Sequence, residues 1–237
     1  MNVCNSLLST IKVNKNITPP IVFLNFNGDL SNSGSNTNIV ISSNSTISLS
    51  NTDASFNNTS RGTSNNTNKY VYFTTPVLRP VFSVCVLFNV ASIKGDGNSS
   101  FLSMNFINGN RSFILYNRSV FQFMNANNSI IFTSSSTIPT NSNTHIAIVF
   151  TANNQCTAYY NGAICTPSNQ SWSGFPLPNI DSSFNTFIGV SREGRGGISN
   201  DNNYGLQGYI LKFQFYDYNL NSNQVKYLYD NRDENTI

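Results

Sequence analysis

Residues 191–204 form a glycine-broken stretch that holds Arg192, Glu193, Arg195, Asp201, Asn203 and Tyr204. Guanidinium, carboxylate, amide and phenol groups on one loop can hydrogen-bond sugar hydroxyls, or contact a neighbouring protein through the Arg-rich, aromatic composition favoured at interfaces. Gly194, Gly196 and Gly197 fit either a binding loop or a plain connector that only turns the chain. Trp172, the single tryptophan, stands among Ser and Gly. It can stack on a sugar or a partner, and it can equally cap the edge of a core.

Hydrolytic chemistry lacks its parts. A retaining glycosidase needs two carboxyl groups about 5 to 5.5 Å apart, but Glu193 and Glu234 are the only glutamates and no two Asp residues recur at i, i+2 on a strand face. His145, the one histidine, has no Ser, Cys or Asp spacing that marks a catalytic triad, so it reads as a partly buried strand residue. Four dispersed cysteines and one histidine make no zinc pattern. Asp96 in the sequence KGDGN and Asp201 in NDNN could each give calcium one carboxylate, which is too few for a firm site. The expectation is therefore no catalytic residue, no metal and no cofactor.

Composition narrows the partners. Only 10% of the 237 residues are charged and the net charge is +3, while 41 residues are Asn. The thirteen basic residues form no stripe, which argues against nucleic acid. No apolar run is long enough to span a membrane, and residues 1–20 lack the pattern of a secretory leader. Ten Asn-x-Ser/Thr triplets are about what so much Asn, Ser and Thr produces by chance. A neutral surface of amides and hydroxyls suits close packing in an assembly, homo-oligomers included, or contact with sugars.

The elements that must position these groups are strands. Short runs of alternating Val, Ile, Phe and Tyr, bounded by Asn, Gly, Ser and Pro, predict strands over 21–26, 70–74, 81–90, 101–106, 113–116, 145–151, 156–160, 186–190 and 208–216. Asn108-Gly109 and Asn161-Gly162 mark two-residue hairpin turns. The second turn sets Tyr160 opposite Ala163 and leaves Cys156 diagonal to Cys165, at about 7 Å, so both are expected as free, buried thiols. Scattered Ile and Leu between residues 31 and 68 read as weak edge strands in long loops. Near the end, Asn221 or Ser222 can cap a helix whose apolar face is Val225, Leu228 and Tyr229. The chain divides into an arm, 1–20, one domain, 21–230, and a polar tail, 231–237.

The sequence HIAIVF at 145–150, followed by YYNGAI at 159–164, resembles the laminin G-like, concanavalin A-like family. The resemblance continues through Phe187-Ile188-Gly189, Gly208-Tyr209-Ile210, Phe213 to Tyr216 and the terminal Leu220 to Val225 with Leu228-Tyr229, and the opening Phe23 to Leu30 also fits. It departs at Leu211 and Lys212, where the family usually has Asp-Glu, and at Thr144, where it has Trp. It implies an all-β fold of two antiparallel sheets in a jelly-roll sandwich, with one short C-terminal helix. It leaves function open among lectins, glycosidases, adhesion modules and virion components. The expectation drawn is a non-catalytic contact module: a structural or minor capsid component of a large DNA virus particle assembled in the host cytoplasm, or alternatively a glycan-binding module. Trp172, Arg192, Arg195, Asp201, Asn203 and Tyr204 are its expected contact residues.

Overall fold

The computed structural model describes residues 17–26, 28–43, 47–57, 69–74, 81–92, 99–105, 111–117, 120–124, 130–151, 155–170, 185–189 and 206–234. The first sheet contains β1 (Val22–Leu24), β3 (Ser48–Leu49), β4 (Ala54–Asn57), β6 (Phe82–Val90), β11 (Asn143–Thr151), β12 (Gln155–Tyr160), β13 (Ala163–Ile164) and β16 (Gln207–Tyr216). Its order is β13-β12-β11-β6-β16-β4-β3, and β1 pairs with the far half of β16. The second sheet contains β2 (Ser42–Ser43), β5 (Val71–Thr74), β7 (Ser99–Asn105), β8 (Arg111–Asn117), β9 (Val120–Met124), β10 (Ile130–Thr137), β14 (Pro167–Gln170) and β15 (Asn185–Ile188), in the order β14-β10-β9-β8-β7-β15-β5-β2. The strands pair antiparallel throughout both sheets, and one helix, α1 (Ser222–Asp230), follows β16. The expected all-β sandwich is present.

Period-2 alternation fills the space between the sheets. From β6, Phe82, Val84, Val86, Phe88 and Val90 point inward, and Ile146, Ile148 and Phe150 do so from β11. Phe82 stacks on Phe150 at 4.3 Å and on Phe215 at 5.6 Å between ring centres. Contacts of Phe73 with Phe213 and of Phe121 with Tyr160 join the two sheets.

β6 and β11 are buried on their outer face as well, because α1 lies across it. Cys85, Ala147, Val149, Tyr159 and Tyr216 form a second apolar layer with Leu220, Val225 and Leu228. This is why both strands read as near-continuous apolar runs. Ser83 ties the chain that leads into the helix: its hydroxyl donates to the Tyr218 carbonyl at 2.8 Å and accepts from the Leu220 amide at 2.9 Å. The end of the arm lies here too, with Ile17 against this layer and the Thr18 carbonyl accepting from the Tyr218 hydroxyl at 2.9 Å.

Of the two candidate caps, Asn221 is used. Its side chain accepts from the Gln224 amide at 3.0 Å, and the Gln224 side chain accepts from the Asn221 amide at 2.8 Å. This reciprocal box satisfies two amides that the helix itself cannot. Asn221→Ala is expected to cost about 1 kcal/mol in urea unfolding; an unchanged midpoint would show that packing alone holds α1.

The Asn161-Gly162 turn has φ of 49° and 78°, and Tyr160 pairs with Ala163 as the hairpin requires. Cys85, Cys156 and Cys165 are free and buried, and burial raises the thiol pKa of each. Asn108-Gly109 lies outside the described residues. Three strands lie outside those expected from sequence: β9, β10 and β14. In β10 the inward position 134 is a serine, whose hydroxyl donates to the Ser136 carbonyl and accepts from the Phe121 amide. A satisfied hydroxyl at an inward site breaks the apolar alternation that marks a strand.

Candidate functional site

The expected contact residues Trp172, Arg192, Arg195, Asp201, Asn203 and Tyr204 lie outside the described residues, as do Glu193 and Asp96. Among the described residues a different polar site forms, on the outer face of the first sheet beneath the C-terminal end of α1.

Three strands build its floor. His145 on β11 pairs with Leu87 on β6, and Leu87 pairs with Lys212 on β16. His145 and Lys212 therefore stand two strand spacings apart, about 10 Å, in one row on one face. Lys212 reaches that face through a β-bulge. Ile210 pairs with Phe88 and Lys212 with the next residue, Leu87, so Leu211 is the extra residue in β16. Uninterrupted alternation would put Leu211 outward and drive Lys212 into the core; one inserted residue re-aims it. Gln214, two positions on, lines the same cleft, with Phe23 of β1 beside it.

The helix end makes the roof from Tyr227, Leu228, Asn231 and Arg232. The Asn231 side chain donates to the Tyr227 carbonyl at 2.8 Å, and the Arg232 Nη1 donates to the Tyr229 carbonyl at 3.0 Å. Helix carbonyls that would give this end a negative character are thus covered. The Arg232 guanidinium also rests over the Tyr229 ring at 4.5 Å. Lys212 Nζ donates to the Glu234 backbone carbonyl.

His145 is the anomaly in this arrangement. Its backbone is tied to the hairpin turn, with its amide donating to the Asn161 side chain at 2.9 Å and its carbonyl accepting from the Asn161 amide at 2.8 Å. Its imidazole is 3% exposed, yet neither ring nitrogen has a hydrogen-bond partner. Burial lowers its pKa to about 4, and the positive charges of Arg232 and Lys212 add to that effect. Burial likewise lowers the pKa of Lys212, against the opposing pull of Asp233 and Glu234. Such an imidazole is neutral near pH 7, with one nitrogen able to donate and the other able to accept. The Tyr216 hydroxyl is a second buried orphan, but it sits in the closed apolar layer under α1.

His145 lies in a strand as the sequence predicts, but it is almost fully buried rather than partly so, and the sequence reading places no cleft around it. One signal was available: the inward residues Ile210, Phe213 and Phe215 are spaced by three and then two, which betrays the bulge and hence the direction of Lys212.

On the outer face of the second sheet, Tyr70, Tyr72 and Phe187 form an aromatic group with ring centres 5.5 to 6.0 Å apart. Tyr70 and Phe187 are each only 9% exposed, and Tyr72 is partly buried against them. Among the described residues no three His, Cys, Asp or Glu side chains gather to hold an ion. No helix among them is long and apolar enough to cross a membrane.

A laminin G-type family, described as the concanavalin A-like lectin/glucanases superfamily, matches residues 64–226, and the chain belongs to that superfamily. No curated protein sequence matches it. Among solved structures, the botulinum neurotoxin serotype D binding domain is similar at TM-score 0.62 and 12% identity, over 91% of this chain and 52% of that one. The Trypanosoma rangeli sialidase in complex with sialic acid is similar at TM-score 0.62 and 14% identity, over 98% of this chain and 39% of that one. The botulinum neurotoxin type G receptor binding domain gives TM-score 0.60 and 13% identity, over 90% and 51%. The chain thus spans about half, or less, of each of these proteins, and at such identities the likeness is one of fold.

Proposed function

We propose that this chain is a non-catalytic contact module that recognises a glycan. The carrying observation is the cleft under α1, where an unbonded buried imidazole converges with the amides of Gln214 and Asn231 and the cations Lys212 and Arg232. A few fixed polar groups at the mouth of an apolar-backed cleft orient a ligand rich in hydroxyl or carboxylate oxygens. Among the described residues no carboxylate lines the cleft to act as nucleophile or acid, so the arrangement suits holding a sugar rather than cleaving it. The superfamily's name and the neighbours solved as receptor-binding domains or with sialic acid support the same reading.

A glycan array probed with the full chain tests it. Binding is expected, with Arg232→Ala weakening it about tenfold if the cleft is the contact. Loss on Trp172→Ala or Tyr204→Ala with Arg232→Ala silent would move the site to the loops expected from sequence. An array with no ligand overturns the reading.

The finer assignment, a structural or minor capsid component of a large DNA virus particle, draws on composition: a 10% charged chain suits close packing among like subunits or other virion proteins. It predicts co-purification with particles through detergent and salt, and free protein only would count against it.

A further inference from the structure

The cleft carries a charge preference that the glycan reading alone does not specify. Among the described residues both charged groups that line it, Lys212 and Arg232, are cations. Among the described residues the charges that act on the imidazole are these same two cations. Asp233 and Glu234, which act on Lys212, are exposed on the solvent side, where water and salt screen them. Arg232 spends one donor on the Tyr229 carbonyl and Lys212 one on the Glu234 carbonyl, which leaves both with further N–H groups to offer.

His145 supplies the independent sign that something is bound. A 97% buried imidazole with two unbonded nitrogens is costly, and native proteins give such groups a partner. His145 is among the residues that line the cleft, which puts whatever the cleft holds next to the ring. A ligand oxygen that accepts from His145, in a positive field and within reach of two charged donors, is best supplied as part of an anionic group.

Resting on the glycan reading, the geometry points to a site for the carboxylate of an acidic saccharide: Lys212 and Arg232 supply the charge, His145 the buried hydrogen bond, and Gln214 and Asn231 contact the adjoining hydroxyls. Tyr227 and Phe23 also line the cleft.

The single histidine makes the test direct, because imidazole nitrogen signals in NMR report one residue. The labelled full chain is titrated separately with a galacturonic acid oligosaccharide, a neutral galactose oligosaccharide of equal length, and acetate. The acidic sugar is expected to shift the imidazole signals saturably and to bind at least about tenfold more tightly than the neutral one. Arg232→Gln and Lys212→Met, both at partly exposed positions and each first checked for wild-type thermal unfolding, are expected to weaken it by a similar factor. Equal binding of neutral and acidic sugars would leave the glycan reading standing and overturn the carboxylate site. Acetate shifting the imidazole while neither sugar binds would uphold the anion site and sink the glycan reading. Imidazole signals unmoved by every probe, or variants that bind as the wild type does, would overturn the site.

Discussion

Gly208→Ala is expected to destabilise the protein by about 3 kcal/mol or more, the range of an overpacked core position with no room to adjust. Gly208 lies in β16 with Val90 of β6 on one side and Phe56 of β4 on the other. A methyl group there would come within 2.0 Å of the Asn89 carbonyl oxygen and 3.0 Å of the Val90 Cα, and both are backbone atoms of a central strand. Relief requires shifting the β6–β16 pairing. That pairing also sets the bulge at Leu211, so the same substitution is expected to displace Lys212 and weaken any ligand held in the cleft. Gly28→Ala is the matched control. Its φ is +99°, but nothing lies within 4 Å of the added carbon, so it should cost only about 1 to 2 kcal/mol of backbone strain. Urea denaturation of both variants decides the matter; equal losses would show that backbone conformation, not crowding, sets the cost at Gly208.

Acid is expected to unfold the protein through His145. In the folded chain burial, with Arg232 and Lys212 nearby, holds its pKa at about 4, against 6.5 when the side chain is free in water. Above pH 6.5 the imidazole is neutral in both states and contributes no slope. Below it the unfolded chain takes up a proton that the folded chain refuses, so stability falls by about 1.4 kcal/mol per pH unit until the folded group titrates near pH 4. The total is about 3 kcal/mol. His145→Phe removes the titrating group and the two orphan nitrogens together. The wild type should therefore lose about 3 kcal/mol more than this variant between pH 6.5 and 4 in urea unfolding, while Asp29, whose carboxyl is held low by its hydrogen bonds from Ser31, contributes equally to both. Parallel pH profiles would show that the imidazole already has a partner in solution. An anion in the cleft would favour the protonated ring, so a bound acidic ligand should shallow the slope.

The local features were legible because their causes are local. Short runs of Val, Ile and Phe bounded by Pro, Asn and Thr mark strands such as β6 and β11 wherever they end up. Positive φ at Asn161 and Gly162 is a property of those two residue types, and the Asn221–Gln224 box is complete within four positions. β10 escaped notice for an equally definite reason: a buried Ser134 satisfied by its own neighbours looks polar in sequence but packs inward.

The amino-acid order by itself determined a two-sheet antiparallel sandwich with a capped terminal helix and the Asn161-Gly162 turn, whereas the free state of the Cys156 and Cys165 thiols is seen only in the structure. Only the tertiary structure brought His145, Lys212, Gln214 and Arg232 to one cleft. Those residues come from two strands and the end of a helix, and whether their side chains meet depends on register. A single bulge at Leu211 reverses the facing of everything after it in β16, because side chains alternate with a period of two and one added residue exchanges inside for outside.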